Sequence, residues 1–235
     1  MRIERREGRK QKAEGSQSES SVSCLPSALC LLPSSFTSSL IPSLVRVFCA
    51  VELPVEVRTR AADHIARLRD AVQSVRASWE RAEKLHITLK FLGEIAPKRL
   101  QDLSNAASLA AQNTQPFILA LEETGAFPAR GLPRILWLGI NDSSGTLAML
   151  HSYLEEECER AGFAREERPF RPHLTIARIR APQAARQLAR LHQEIGFEAI
   201  DFRVTEIVLM RSELGTGGSR YTEISRHRFK IETSE

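Results

Sequence analysis

The chain has 235 residues, 42% of them hydrophobic and 26% charged, with a net charge of +4. This is the balance of a globular protein long enough for one large domain or two small lobes with a real core. Residues 1–44 hold six Lys/Arg and four Glu, leaving 27 basic against 25 acidic residues, or +2, for the rest. The basic character is thus partly a property of one end and argues only weakly for an anionic partner.

Cys24, Cys30, Cys49 and Cys158 form no Cys-x-x-Cys and no metal-type spacing with histidine. Neither a zinc site nor a disulfide framework is indicated, and a reducing cytoplasm is the simplest compartment. Residues 1–44 open with charged "RIERREGRKQKAEG" and continue as a Ser/Pro/Leu-rich, low-complexity stretch. Ser and Pro interrupt every apolar run, so neither an export signal nor a membrane span is supported. A disordered leader over 1–44 and a folded domain over 45–235 are expected.

In chain order, "LVRVFCAVEL" (44–53) is β-branched, apolar and bounded by Pro54, a buried strand. Ala62, Ile65, Leu68 and Val72 recur at helical spacing within 55–75. Residues 85–92 form a strand ending at Gly93, and 96–113 a helix opened by a proline. Strands follow at 117–123 and 134–140, then a helix over 143–162 closed by Gly162. The remainder is a strand at 172–179, a helix at 182–194, and strand-like segments at 198–211 and 220–231.

Two of these strands begin alike, "LHITLKFLGE" from Leu85 and "PHLTIARIR" from Pro172. Shifting the chain by the 87 residues between His86 and His173 superposes four predicted elements in order. That implies an internal repeat of two β/α lobes, each offering one His-x-Thr strand.

Residues two apart on a strand share a face. His86, Thr88 and Lys90 are expected on one face, with Ile87, Leu89 and Phe91 on the other; His173 and Thr175 repeat the pattern. The polar faces need partners and should line a groove. Imidazole titrates near neutrality, so one ring can take a proton from water while the other gives one to a leaving oxygen. Threonine hydroxyls can donate to phosphate oxygens. This equipment suits phosphodiester chemistry, with no metal or other cofactor required. His64, His151, His192 and His227 are read as structural or surface residues.

The phrases "RVFCAVELP", "LHITLKFLGE", "GAFP…PRILWLGI", "RPFRPHLTIAR" and "LMRSEL…GGSRYTEI" occur in the order seen in RNA 2′,3′-cyclic phosphodiesterases. These are two-histidine phosphoesterases, once called 2′-5′ RNA ligases, and the chain resembles them from about Arg46 to Ile231. The resemblance implies an α/β (α+β) bilobal fold, two pseudo-symmetric β/α lobes around a central cleft. It implies a metal-free opening of terminal RNA 2′,3′-cyclic phosphates to 2′-phosphomonoesters. His86 would be the general acid toward O3′ and His173 the general base toward water, with Thr88 and Thr175 holding the phosphate. Arg178 matches an arginine that contacts phosphate, although strict alternation places it opposite His173 unless the strand ends or bulges. Arg220 and Tyr221 match the C-terminal phrase and either contact RNA or end a strand. Partners are RNA ends or nucleotide cyclic phosphates, with no membrane and no protein partner implied. The alternatives are 2′-5′ RNA ligation, hydrolysis of another cyclic or 2′-linked nucleotide, or a nucleotide-binding module without turnover.

Overall fold

A computed structural model describes residues 43–72, 75–180, 184–216 and 218–231. The expected leader lies outside them, apart from its last two positions. Among the described residues, nine strands and four α-helices follow in the order β1 (Val45–Glu52), α1 (Val55–Ala71), β2 (Ala77–Trp79), β3 (His86–Ile95), α2 (Leu100–Gln112), β4 (Phe117–Phe127), β5 (Ile135–Asn141), α3 (Thr146–Arg160), β6 (His173–Ile179), α4 (Ala185–Ile195), β7 (Ile200–Val204), β8 (Glu206–Gly215) and β9 (Gly218–Arg228).

The strands form one curled sheet ordered β7-β4-β5-β6-β3-β1-β8-β9, with β2 on β6 and every pairing antiparallel. The order is symmetric about the β3–β6 junction: β3-β1-β8 on one side answers β6-β5-β4 on the other. The 87-residue repeat therefore exists in space, but the halves exchange parts. Strand β4, from the first half of the chain, sits beyond β5, and β8, from the second half, sits beyond β1. The helices exchange too. The helix between β5 and β6, α3, packs on α2 and β3, while α1, between β1 and β3, packs on α4.

Each helix turns an apolar stripe inward. The stripes include Ala61, Ile65 and Leu68 on α1; Leu103, Ala107 and Ala110 on α2; Leu147, Leu150 and Leu154 on α3; and Leu188 on α4. They meet the sheet's apolar face, where Ile87, Leu136, Leu138, Leu174 and Ile176 are fully buried. Each such side chain stabilises the fold by roughly 1.5–3 kcal/mol. Ile87 pairs directly with Leu174. This one cross-strand contact welds the two His-x-Thr strands together, and their histidines take the other face.

Two elements differ from expectation. The short strand β2 and the 3₁₀ turn Ala82–Lys84 were not foreseen, because neither is long enough to show a period. Strand β3 does not end at Gly93 but continues to Ile95, with Gly93 at φ +69° inside an irregular pairing with β1. The positive φ is one that glycine adopts without Cβ strain.

Candidate active site

Strand alternation breaks at the same place in both repeats. On β3, Thr88 pairs with Ala50 and Lys90 with Cys49, leaving Leu89 as an extra residue. On β6, Thr175 pairs with Trp137 and Ala177 with Leu136, leaving Ile176 extra. Leu89 and Ile176 are 87 residues apart. Each bulge buries two consecutive residues and returns the third to the open face.

The bulges bear on the sequence reading at three residues. Lys90 borders the cleft but is buried in its wall, its Nζ 2.8 and 2.7 Å from the Glu155 carboxylate and 2.9 Å from the Ala164 carbonyl. Phe91, expected in the core, is 55% exposed and lines the cleft. Arg178 arrives on the same side as His173, so a bulge is what reconciles it with the site.

The open face of β3 and β6 lines a cleft of about 640 Å³. His86, Thr88, His173, Thr175 and Arg178, the five expected site residues, all border it. Antiparallel pairing of Ile87 with Leu174 sets His86 beside Thr175 and Thr88 beside His173. The two histidines are then diagonal neighbours, roughly 7–8 Å apart along the backbone. Rings projecting from that spacing can flank one phosphorus.

Both imidazoles are oriented alike. His86 Nδ1 lies 2.7 Å from the Lys84 carbonyl, and His173 Nδ1 lies 2.7 Å from the Arg171 carbonyl. A carbonyl only accepts, so each Nδ1 carries the proton and each Nε2 is left for the cleft. A neutral ring then offers Nε2 as a base, and a charged ring offers Nε2–H as an acid, in the same geometry. Among the described residues neither Thr88 nor Thr175 spends its hydroxyl on another side chain or carbonyl.

The surroundings differ between the halves. Phe48 and Tyr221 pack on His86 with ring centres 4.8 and 5.2 Å away. Burial lowers the His86 pKa, and the nearby Arg178 charge lowers it further; the Lys84 carbonyl and Glu52 work the other way. Phe127 meets His173 edge-on at 5.1 Å and packs on Trp137. Arg178 lies 3.9 Å from Glu80, whose own pKa is raised by burial. Among the described residues no three His, Cys, Asp or Glu side chains are grouped as metal ligands.

Several cleft residues were missed or left open by the sequence. His151, read as structural, borders the cleft and stacks on Phe170 at 4.0 Å. Phe127 and Arg171 fall within phrases shared with the family but were given no role, and Glu80 carries no motif that would mark it. Tyr221 of the C-terminal phrase lines the cleft, whereas Arg220 beside it does not. Phe48, on the strand expected to be buried, is a packing residue. His64, His192 and His227 lie away from the cleft, as structural residues would.

Known proteins share this architecture. Residues 57–216 match the 2′-5′ RNA ligase superfamily. The protein named RNA 2′,3′-cyclic phosphodiesterase of Methanothermobacter thermautotrophicus is 34% identical over 183 residues, 77% of this chain and 96% of its own. Its namesake in Escherichia coli is 32% identical over 186 residues, 77% of this chain and 94% of its own. Among solved structures, TT0787 of Thermus thermophilus superposes with a TM-score of 0.64 at 27% identity, over 78% of this chain and 97% of that one. E. coli LigT complexed with 3′-AMP superposes at 0.60 with 28% identity, over 80% and 99%. With the family matched over most of its length and the fold reproduced in full-length relatives, the chain belongs to the 2′-5′ RNA ligase superfamily.

Proposed function

We propose that this chain hydrolyses terminal RNA 2′,3′-cyclic phosphates to 2′-phosphomonoesters, using His86 and His173 as its acid–base pair. One observation carries the reading: two Nδ1-anchored imidazoles present Nε2 to a single cleft, each beside a threonine hydroxyl. The names of the relatives, and the phosphate and 3′-AMP complexes of LigT, support the substrate class.

In the reaction a water attacks phosphorus and passes its proton to His173 Nε2. The P–O3′ bond breaks, and His86 Nε2–H protonates the departing O3′. The product keeps the phosphate on O2′ and regains a 3′-hydroxyl. Thr88 and Thr175 donate to the non-bridging oxygens, and Arg178 balances the charge that builds there. His86, lowered in the free protein, must be protonated to act as the acid. The bound phosphate supplies the negative charge that raises it, since an opposite charge within about 4–6 Å favours the charged form.

No described helix is long and apolar enough to cross a membrane. Cys49 and Cys158 are buried free thiols, which fits a cytoplasmic setting where RNA ends are met. The activity is assigned to residues 45–235.

The test is incubation with 2′,3′-cyclic AMP in EDTA, with the product read by phosphorus NMR. The expected product is 2′-AMP, formed without added metal. Formation of 3′-AMP would reverse the leaving group, and binding without turnover would make the chain a nucleotide-binding module. Joining of added RNA 5′-hydroxyl ends in preference to hydrolysis would make it a ligase.

A further inference from the structure

The segment that delivers His173 has almost no structure of its own. Among the described residues, 164–172 make no backbone-to-backbone hydrogen bond, and Pro169 and Pro172 have no N–H to give. The matching segment before His86 is closed by its own 3₁₀ turn, with Lys84 N–H donating to Arg81 O at 2.9 Å. Residues 164–169 and 171 are exposed, and water can serve their backbone groups, so the contacts that fix the segment must come from elsewhere.

They come from the buried ion pair. Lys90 Nζ donates to Ala164 O at 2.9 Å, and Glu155 accepts the Glu166 N–H at 3.1 Å. One turn before Glu155, His151 stacks on Phe170 at 4.0 Å. Phe170 is followed directly by Arg171, whose carbonyl orients His173. Lys90 itself stands four residues beyond His86 and is turned inward by the β3 bulge. Its counterpart in the repeat is Ala177, buried and uncharged. The half whose approach segment holds itself lacks the ion pair, and the half whose segment cannot hold itself is served by one. Lys90 and Glu155 side chains are 1% and 3% exposed. A pair so buried adds little net stability, because desolvation offsets its attraction; its specific product is geometry.

We infer that Lys90 and Glu155 are positioning residues: they clamp residues 164–166 so that the Arg171 carbonyl holds His173 in its Nδ1–H tautomer, with Nε2 toward the substrate. The clamp links the strand of the first histidine to the approach of the second. The inference rests on the phosphodiesterase reading for its effect on turnover, but not for its effect on the ring.

The test uses the full chain with the double substitution Lys90→Met/Glu155→Met, which removes both charges at once and leaves no unpaired buried ion. Folding is checked by circular dichroism. Nitrogen-15 NMR of labelled histidine then reads both tautomers in one spectrum. The expected result is that His173 loses its pure Nδ1–H signature while His86, anchored independently on Lys84, keeps it. With it, kcat falls on the order of 10²-fold, the scale of an ångström-sized misplacement, while KM changes much less. A folded variant in which His173 keeps its tautomer overturns the inference, whatever its rate. Loss of the tautomer in a protein whose parent never turns over cyclic phosphate upholds the clamp and removes the enzymatic reading. If the double variant does not fold, Glu155→Gln, which keeps an acceptor for the Glu166 N–H but weakens the hold on Lys90, is judged by the same two signals.

Discussion

Replacing His86 or His173 by alanine takes one Nε2 from the cleft and leaves a carbonyl, Lys84 or Arg171, without its donor. Each change is expected to lower turnover by roughly 10²–10⁴, the range of a lost acid–base group; wild-type rates in either variant would remove that residue from the reaction. The pH profile tests which ring does what. An acid must start protonated, so activity falls as pH rises through its pKa. His86 is lowered in the free protein, and the bound phosphate raises it again. If His86 is the acid, kcat/KM, which reports the free enzyme, should fall at a lower pH than kcat, which reports the complex. Coincident alkaline limbs would contradict that assignment.

At the scale of elements, the bulges decide which side chains reach the substrate. A strict two-residue period placed Lys90 on the open face of the cleft and Phe91 in the core; the extra residue on β3 buries Lys90 in the cleft wall and exposes Phe91. Nothing local distinguishes "TLKF" from an unbulged strand, because the bulge is a property of pairing with β1 or β5. Pairing sets a second constraint between β4 and β5. Gly125 lies opposite Trp137, and a Cβ built there falls within the indole ring. Gly125→Ala must therefore displace Trp137, which packs on Phe127, which in turn meets His173. Overpacking of this kind costs about 1–3 kcal/mol. Lower stability by urea titration, together with reduced turnover, is expected; an unchanged denaturation midpoint would show that the ring yields freely.

Across the whole molecule, a second histidine pair bridges α1 and α4 beneath the sheet. His64 Nε2 lies 2.9 Å from His192 Nδ1, and His192 Nε2 lies 3.0 Å from the Trp137 carbonyl. The carbonyl requires a proton on His192 Nε2, so His192 Nδ1 accepts from His64, and both rings are neutral. Burial, then the neighbouring ring, lowers His64 to about 4, and burial lowers His192 too. A base lowered in the folded state binds its proton more readily when unfolded. Stability is therefore full above about 6.5 and declines as pH falls toward about 4. For His64 alone the loss is on the order of 3 kcal/mol. Urea unfolding between pH 8 and 4 measures it, and a flat curve below pH 6.5 would mean the pair is already charged or accessible to water. Sequence alone supplied the two His-x-Thr motifs, the alternation of strands and helices, and the repeat that relates them. These are carried by spacing within a single element, which depends on backbone geometry and hydrophobic period. The exchange of β4 and β8 between halves, the bulges that admit Arg178 and bury Lys90, and the recruitment of His151 and Tyr221 were decided only in the tertiary structure. Each depends on which distant strand or helix lies alongside, and no local period encodes the identity of a neighbour far away in the chain.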